Sequence, residues 1–133
     1  MIFVVDTSAL MRLYIPDGPV PDGMEAALRS AEVGNDSLLS PDLLLAECGQ
    51  VLHKKRTEQL LTDDELSGLV DSILDLPIRL VPHHDLLRSA CDLAARCGLT
   101  VYDALFLALA QRHSAPLLTA DGRLRRAAAE LNL

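Results

Sequence analysis

Short apolar runs alternate with helical patterns along this chain of 133 residues. Four runs of four residues each show no strict alternation of apolar and polar positions, which is typical of parallel strands covered on both faces. The predicted strands are IFVV (2–5), SLLS (37–40), IRLV (78–81) and PLLT (116–119). The segment IPDGPVPDG (15–23) is rich in Pro and Gly and predicts a loop.

Helices are predicted between and after these strands from apolar periodicity and from start and stop signals. Ser40 and Pro41 favour a helix start, as N-cap and first helical residue. Thr62 or Asp63 is the predicted cap of the next helix, and Gly98 predicts the end of another. The predicted helices are 8–14, 24–33, 41–56, 64–74, 84–97, 102–112 and 123–130.

This order of elements predicts the fold class. Strands alternating with helices, sometimes two helices per crossover, indicate a three-layer α/β/α sandwich around a short, mainly parallel central sheet. The length fits a single domain over residues 1–133. Ligands of such sheets bind beyond the carboxyl ends of the strands, so polar residues at strand exits are candidates for function.

Composition predicts a soluble cytoplasmic protein. Only 3% of the residues are aromatic, so the core must consist mainly of Leu, Ala, Val and Ile. No apolar run reaches the roughly 18 residues of a membrane span, and no basic region precedes the first apolar stretch. The three cysteines are odd in number and lack metal or redox spacing, which suits a reducing compartment.

The charge pattern leaves two interpretations open. A net charge of −7 disfavours nucleic acid as a partner, because phosphate backbones attract basic surfaces. The cations are clustered, however, in HKKR (53–56) and GRLRR (122–126), and ten of the twelve are arginine, whose planar fork suits phosphate. Solvated helix faces would show the same clusters.

Four carboxylates occupy unusual positions. Asp6 and Asp121 each follow a predicted strand, and either is also a suitable helix N-cap. Glu47 lies on an apolar helix stripe, either at its edge or inside. Asp103 begins a helix that is apolar nearly all round, and Thr100 and Asp103 have the spacing of a capping box.

Convergence of these four groups would require compensation. Two carboxylates 4 Å apart repel by roughly 4 kcal/mol at an effective dielectric constant near 20, so a cluster needs protons or a cation. Oxygen ligands alone favour Mg²⁺ or Mn²⁺, and no histidine in these motifs indicates zinc.

Four segments, in this order and at these intervals, resemble a PIN-domain protein of the VapC toxin type over nearly the whole chain. They are VVDTSAL (4–10), LLLAECGQVL (43–52), LTVYDALFLALA (99–110) and LLTADGRL (117–124). The resemblance implies an Mg²⁺- or Mn²⁺-dependent endoribonuclease, the toxin of a type II toxin–antitoxin pair. The implied catalytic and metal-binding residues are Asp6, Glu47, Asp103 and Asp121.

The resemblance also implies supporting residues and partners. Thr7, Ser8 and Thr119 would orient ligands or water, while Arg12, Arg123 and the 53–56 segment are candidate phosphate contacts. The expected partners are RNA, a second copy of the chain and a small antitoxin lying along a groove of the early helices; no membrane is expected. Those helices would equally serve the core or a dimer interface. Relatives often form a further strand after the last helix, which is not expected here.

Three rival functions remain. An aspartyl-phosphate phosphatase would carry a second Asp where this chain has Ser8, and a receiver-like domain would carry a Lys after a late strand. Both are therefore disfavoured. The alternatives that remain are a PIN fold that binds RNA or a partner without cutting, and another Mg²⁺-dependent phosphoryl hydrolase.

Overall fold

A computed structural model describes all 133 residues, in which four parallel strands form one sheet of order β3-β2-β1-β4. The strands are β1 (Ile2–Val5), β2 (Ser37–Pro41), β3 (Ile78–Val81) and β4 (Leu117–Leu118). The helices are α1 (Thr7–Met11), α2 (Met24–Glu32), α3 (Leu43–Thr57), α4 (Asp63–Leu74), α5 (Leu87–Cys97), α6 (Val101–His113) and α7 (Gly122–Glu130). The predicted α/β class with a short parallel sheet is confirmed.

Helix α6 is the centre of the core. Its seven consecutive residues from Ala104 to Ala110 are all buried, as expected for a helix that is apolar on every face. It packs against α5, α7 and strands β1, β2 and β4. Asp103, one residue before the buried run, is therefore held where a central helix begins.

The start predicted for α3 at Ser40 and Pro41 is wrong. Both residues extend β2, where Pro41 pairs with Val81 of β3, and the helix begins at Leu43. The hydroxyl of Ser40 is buried and donates to the carbonyl oxygen of Val5 at 2.8 Å, so it joins two strands. A buried hydroxyl needs such a partner, and here the sheet supplies it.

Other helix boundaries follow their signals. Thr62 caps α4 in a complete capping box with Glu65, and Gly98 ends α5 in the left-handed conformation at φ +65°. Helix α1 stops at Met11, earlier than predicted. A 3₁₀ turn, His83–Leu86, precedes α5.

Strand β4 is shorter than predicted and lies at the edge of the sheet. No strand follows α7, so β4 pairs only with β1.

No single helix is long and apolar enough to cross a membrane. The segments His83–Cys97 and Val101–His113 reach that length and composition only as a pair, which is bent by 110°.

Candidate active site

Asp6 and Asp121 lie at the carboxyl ends of the neighbouring strands β1 and β4. The two strand ends are joined by the hydrogen bond from the Asp6 N–H to the Leu118 carbonyl oxygen, 3.1 Å. Asp6 is the N-cap of α1, because its Oδ1 accepts from the Ala9 N–H at 2.9 Å. Asp121 caps α7 in the same way, accepting from the N–H groups of Arg123 and Leu124.

The carboxylate of Asp6 is buried and fully hydrogen-bonded. The residue is only 5% exposed, yet three donors reach it: the Ala9 N–H, the Ser8 hydroxyl at 2.8 and 2.9 Å, and the Thr119 hydroxyl at 2.6 Å. These bonds favour the charged form, but burial outweighs them and raises the pKa of Asp6 to about 6. The charge of Asp121 adds to that rise.

Two backbone N–H groups after β4 orient the hydroxyls that serve Asp6. The Ala120 N–H donates to the Ser8 Oγ at 2.9 Å, and the Asp121 N–H donates to the Thr119 Oγ1 at 3.0 Å. Each hydroxyl therefore accepts from the turn and donates to Asp6. This arrangement ties the two strand exits together and fixes the orientation of the carboxylate.

Glu47 reaches the same region from α3. Its Oε1 accepts a hydrogen bond from the Thr7 hydroxyl at 2.7 Å, which links α3 to the first residue of α1. Half-burial raises the pKa of Glu47, and the nearby charge of Asp103 raises it further, while the Thr7 bond opposes both effects. Glu47 is thus half-buried at the edge of the apolar stripe of α3, where it has a specific polar partner.

Asp103 lies in a half-formed capping box, and its side chain lines the acidic cavity. The Thr100 hydroxyl oxygen caps α6 by accepting from the Asp103 backbone N–H at 3.1 Å. The Asp103 side chain meanwhile lines the cavity that contains the other three acids. Burial raises its pKa, and the charge of Asp121 adds to the rise; Thr100 and Arg123 act in the opposite direction.

One open cavity of about 310 Å³ brings together all four carboxylates predicted from the sequence. Their charges act on one another in pairs: Asp121 on Asp6, Asp103 on Glu47, and Asp121 on Asp103. The remaining lining residues are Thr7, Ser8, Met11, Arg12, Asp17, Val51 and Phe106. The cavity is therefore strongly acidic, with Arg12 as its one cation.

The donor set fits a hard, hydrated cation. The cavity offers carboxylate and hydroxyl oxygens and no histidine or cysteine. No three acidic side chains are close enough to ligate one ion together. Mg²⁺ accommodates this arrangement, because it usually keeps several waters and takes one or two carboxylates plus substrate phosphate oxygens.

The predicted phosphate contacts differ in their surroundings. Arg12 lines the cavity and donates to the Pro19 carbonyl oxygen at 3.4 Å; its guanidinium lies against Gly18, where a Cβ would collide with it. Arg123 is exposed and close enough to lower the pKa of Asp103. In the 53–56 segment, by contrast, Lys55 and Arg56 are engaged in ion pairs.

Two residues near the site were not singled out from the sequence. Asp17 lines the cavity and pairs with Lys55 at 3.0 Å, but its loop carried no functional signal. Arg125 donates to the Thr119 carbonyl oxygen at 3.1 Å. The basic cluster 122–126 pointed to that region without distinguishing this arginine from its neighbours.

Known proteins resemble this chain in sequence over most of its length. The family model of the PIN domain matches residues 3–130. The chain is 32% identical to Ribonuclease VapC3 of Pyrobaculum aerophilum, over 93% of this chain and 92% of that protein. It is 30% identical to Ribonuclease VapC12 of Mycobacterium tuberculosis, over 92% of this chain and 89% of that protein.

Two solved structures share the fold. PAE2754 from Pyrobaculum aerophilum superposes with a TM-score of 0.67 at 23% identity, covering 96% of this chain and 84% of that one. VapC20 of Mycobacterium tuberculosis, described as a sarcin–ricin loop cleaving toxin, superposes with a TM-score of 0.65 at 17% identity, covering 96% and 95%. At these identities the two structures bear on the fold alone.

Proposed function

This chain belongs to the PIN-domain family, and we propose that it is a metal-dependent endoribonuclease, the toxin of a type II toxin–antitoxin pair. The observation that carries the proposal is the single acidic cavity at the carboxyl ends of β1 and β4, which four carboxylates from four separate parts of the chain line together. Relatives named as ribonucleases align with nearly the whole chain, which supports the same activity.

The residues proposed to hold Mg²⁺ or Mn²⁺ are Asp6 and Asp103, with Glu47 and Asp121 completing the set. Such an ion, when bound, lowers the pKa of water and offsets charge on a phosphate. The oxygen-only set of possible ligands and the raised pKa values of three of the acids support a cation there, because a positive charge would stabilise the ionised acids against burial and against one another.

Other side chains orient these groups and receive the substrate. Ser8 and Thr119 hold the Asp6 carboxylate, and Thr7 holds Glu47. Arg12 and Arg123 are placed to offset phosphate charge beside the acids. Since water rather than the ribose 2′-hydroxyl would attack, the expected products carry a 5′-phosphate and a 3′-hydroxyl.

Cleavage of a structured RNA pool tests the proposal. Purified protein is incubated with Mn²⁺ or Mg²⁺, with EDTA as the metal-free control. Asp6→Asn should abolish cutting, whereas Asp64→Asn, which changes an exposed aspartate in α4, should cut like the wild type. Cutting that persists in EDTA or in Asp6→Asn would refute the metal-dependent site. A folded wild type that binds Mn²⁺ and does not cut would favour the non-cleaving alternative.

We also propose a cytoplasmic homodimer held inactive by a small antitoxin. The candidate antitoxin contact is an apolar recess of about 100 Å³ between the early helices and the α4–β3 region, lined by Leu10, Leu44, Leu45, Ile73, Leu74, Leu76, Ile78 and Leu80. Expression of the wild type should arrest bacterial growth and expression of Asp6→Asn should not. Light scattering of the purified protein should give twice the mass of one chain; a monomer would refute the dimer.

A further inference from the structure

A second and larger cleft lies beside the acidic cavity. It has a volume of about 650 Å³, which falls within the range of roughly 300–1,000 Å³ typical of ligand sites. One wall is the loop of residues 19–22, and the other is formed by residues 117–120 at the edge of the sheet. Arg12 lines both the cleft and the acidic cavity, so the two spaces adjoin at this side chain.

Thr119 also connects the cleft to the acidic cavity. Its hydroxyl donates to Asp6, while its carbonyl oxygen accepts from Arg125. This bond holds the Arg125 guanidinium on the cleft wall. It uses one of the five N–H donors of the guanidinium. Arg12 makes a longer contact of 3.4 Å with the Pro19 carbonyl oxygen.

The charge of the cleft is opposite to that of its neighbour. Among its ten lining residues are two arginines and one acid, Asp22, in a chain whose net charge is −7. Arginine binds phosphate through parallel N–H donors, and positive grooves follow nucleic-acid backbones. Apolar groups from Pro19, Val20 and Pro21 could contact a ribose or base, but no aromatic ring is present for stacking.

The open edge of β4 adds backbone donors and acceptors to the same wall. In the parallel pairing with β1, the Val4 N–H reaches the Pro116 carbonyl and the Asp6 N–H reaches the Leu118 carbonyl. The N–H and C=O of Leu117 therefore point away from β1, since these groups alternate along a strand. No strand lies on that side.

We propose that this cleft binds the phosphodiester backbone of single-stranded RNA on one side of the bond to be cut, with Arg125 as its main phosphate contact and Arg12 at the junction with the acidic cavity. The proposal rests on the ribonuclease function proposed above and assigns the path that the substrate takes. It also accounts for how a chain of net negative charge binds a polyanion, because the arginines concentrate positive charge along that path.

RNA binding by matched arginine variants tests the cleft. Arg125→Gln removes a cation from the cleft, and Arg126→Gln removes one from the next residue of α7, which lines a separate recess with Arg123 and Glu130. The probe is a fluorescein-labelled single-stranded RNA of about 12 nucleotides. Its binding is followed by fluorescence anisotropy in a buffer with Ca²⁺ in place of Mg²⁺ or Mn²⁺. Arg125→Gln should weaken binding about tenfold, as loss of a charged hydrogen bond predicts, and Arg126→Gln by less than about twofold.

Salt dependence identifies the lost contact as a phosphate contact. The slope of log affinity against log salt should fall by about 0.7 in Arg125→Gln, the value for one phosphate contact on a single strand. Arg125→Lys should keep the slope of the wild type, because it keeps the charge. The proposal fails if Arg125→Gln and Arg126→Gln bind RNA equally well. It also fails if the wild type does not bind RNA, a result that would favour a peptide strand at the β4 edge.

Hydrolysis of bis(p-nitrophenyl) phosphate separates the cleft from the catalytic proposal. This small diester needs only the acidic cavity, so Arg125→Gln should lose much less activity on it than on RNA, for which its KM rises. If the variant loses both activities equally, Arg125 acts only by holding Thr119, and the cleft proposal fails. If no protein hydrolyses either substrate but Arg125→Gln still weakens RNA binding selectively, the nuclease proposal fails and the cleft stands.

Discussion

The pH dependence of folding should reveal the buried charge of Asp6. Burial raises the pKa of this carboxyl from 3.8 to about 6 in the folded chain. Between those two values the folded chain binds more protons than the unfolded chain, so the stability contributed by Asp6 falls as pH rises from about 4 to about 6. Well below pH 4 the Asp6 carboxyl is protonated in both the folded and the unfolded chain, so it no longer opposes folding.

The size of the effect follows from the two pKa values. They differ by about two pH units, and each unit corresponds to about 1.4 kcal/mol, so ionised Asp6 opposes folding by about 3 kcal/mol at pH 7.5. Asp6→Asn removes this charge and keeps an acceptor for the Ala9 N–H. Its new NH₂ group faces the hydroxyls of Ser8 and Thr119, which costs about 1–3 kcal/mol at any pH.

Urea denaturation followed by circular dichroism measures the difference. Without metal, the stability of Asp6→Asn relative to the wild type should be about 2.5 kcal/mol more favourable at pH 7.5 than at pH 4, where a small part of the effect is already present. Asp36→Asn is the control of opposite sign, because the Ser30 hydroxyl and the N-terminal ammonium lower the pKa of Asp36. That variant should lose at least as much stability at pH 7.5 as at pH 4. A relative stability of Asp6→Asn that stays within about 1 kcal/mol between the two pH values would refute a buried, charged Asp6.

Three further predictions concern the supporting residues and the core. Thr119→Val removes the shortest hydrogen bond to Asp6, so it should raise the pKa of Asp6 further. RNA cleavage should fall about 10- to 100-fold while the circular dichroism spectrum stays unchanged. Cleavage at the wild-type rate would contradict a supporting role for Thr119. Leu107→Ala should lower the free energy of unfolding by about 2–5 kcal/mol in urea titrations, since Leu107 is fully buried in α6, and a loss below about 1 kcal/mol would contradict that packing. Iodoacetamide should label exposed Cys91 in the native protein and spare Cys48, because burial raises the pKa of the Cys48 thiol to about 12. Peptide mass mapping identifies the labelled cysteine. Rapid labelling of Cys48 in the native protein would contradict its burial.

Local signals in the sequence predicted most elements because most boundaries here are locally determined. The capping box at Thr62 and the left-handed Gly98 each depend on residues within one helical turn. Ser40 and Pro41 show where this reasoning fails. Their spacing favours a helix start, but β3, nearly forty residues later, pairs with Pro41 and keeps both residues in the sheet. The local apolar pattern placed Ser40 in a predicted strand, but nothing near Pro41 indicates its pairing with Val81.

The convergence of the four acids depends on topology in the same way. Asp6 and Asp121 lie side by side only because β4 joins the sheet next to β1, which gives the order β3-β2-β1-β4. No pattern around either aspartate specifies that order; the family resemblance supplied the expectation. Asp17 and Arg125 were missed because their importance comes from spatial neighbours, Lys55 in one case and the Thr119 carbonyl in the other.

Helix capping and a role in the acidic site are complementary for these carboxylates. Asp6 and Asp121 cap α1 and α7, and Asp103 lies in the first turn of α6, so three helix N-termini point toward one cavity. Each N-terminus carries partial positive charge and unpaired N–H groups that favour a nearby carboxylate. That local stabilisation favours the ionised form of each acid beside the other carboxylates before any cation is bound. Burial and the charge of Asp121 nevertheless leave the pKa values of Asp6 and Asp103 raised, so a cation that stabilises their ionised forms is favoured. Wild-type protein at pH 7.5 should therefore gain more stability from Mn²⁺ than Asp6→Asn does.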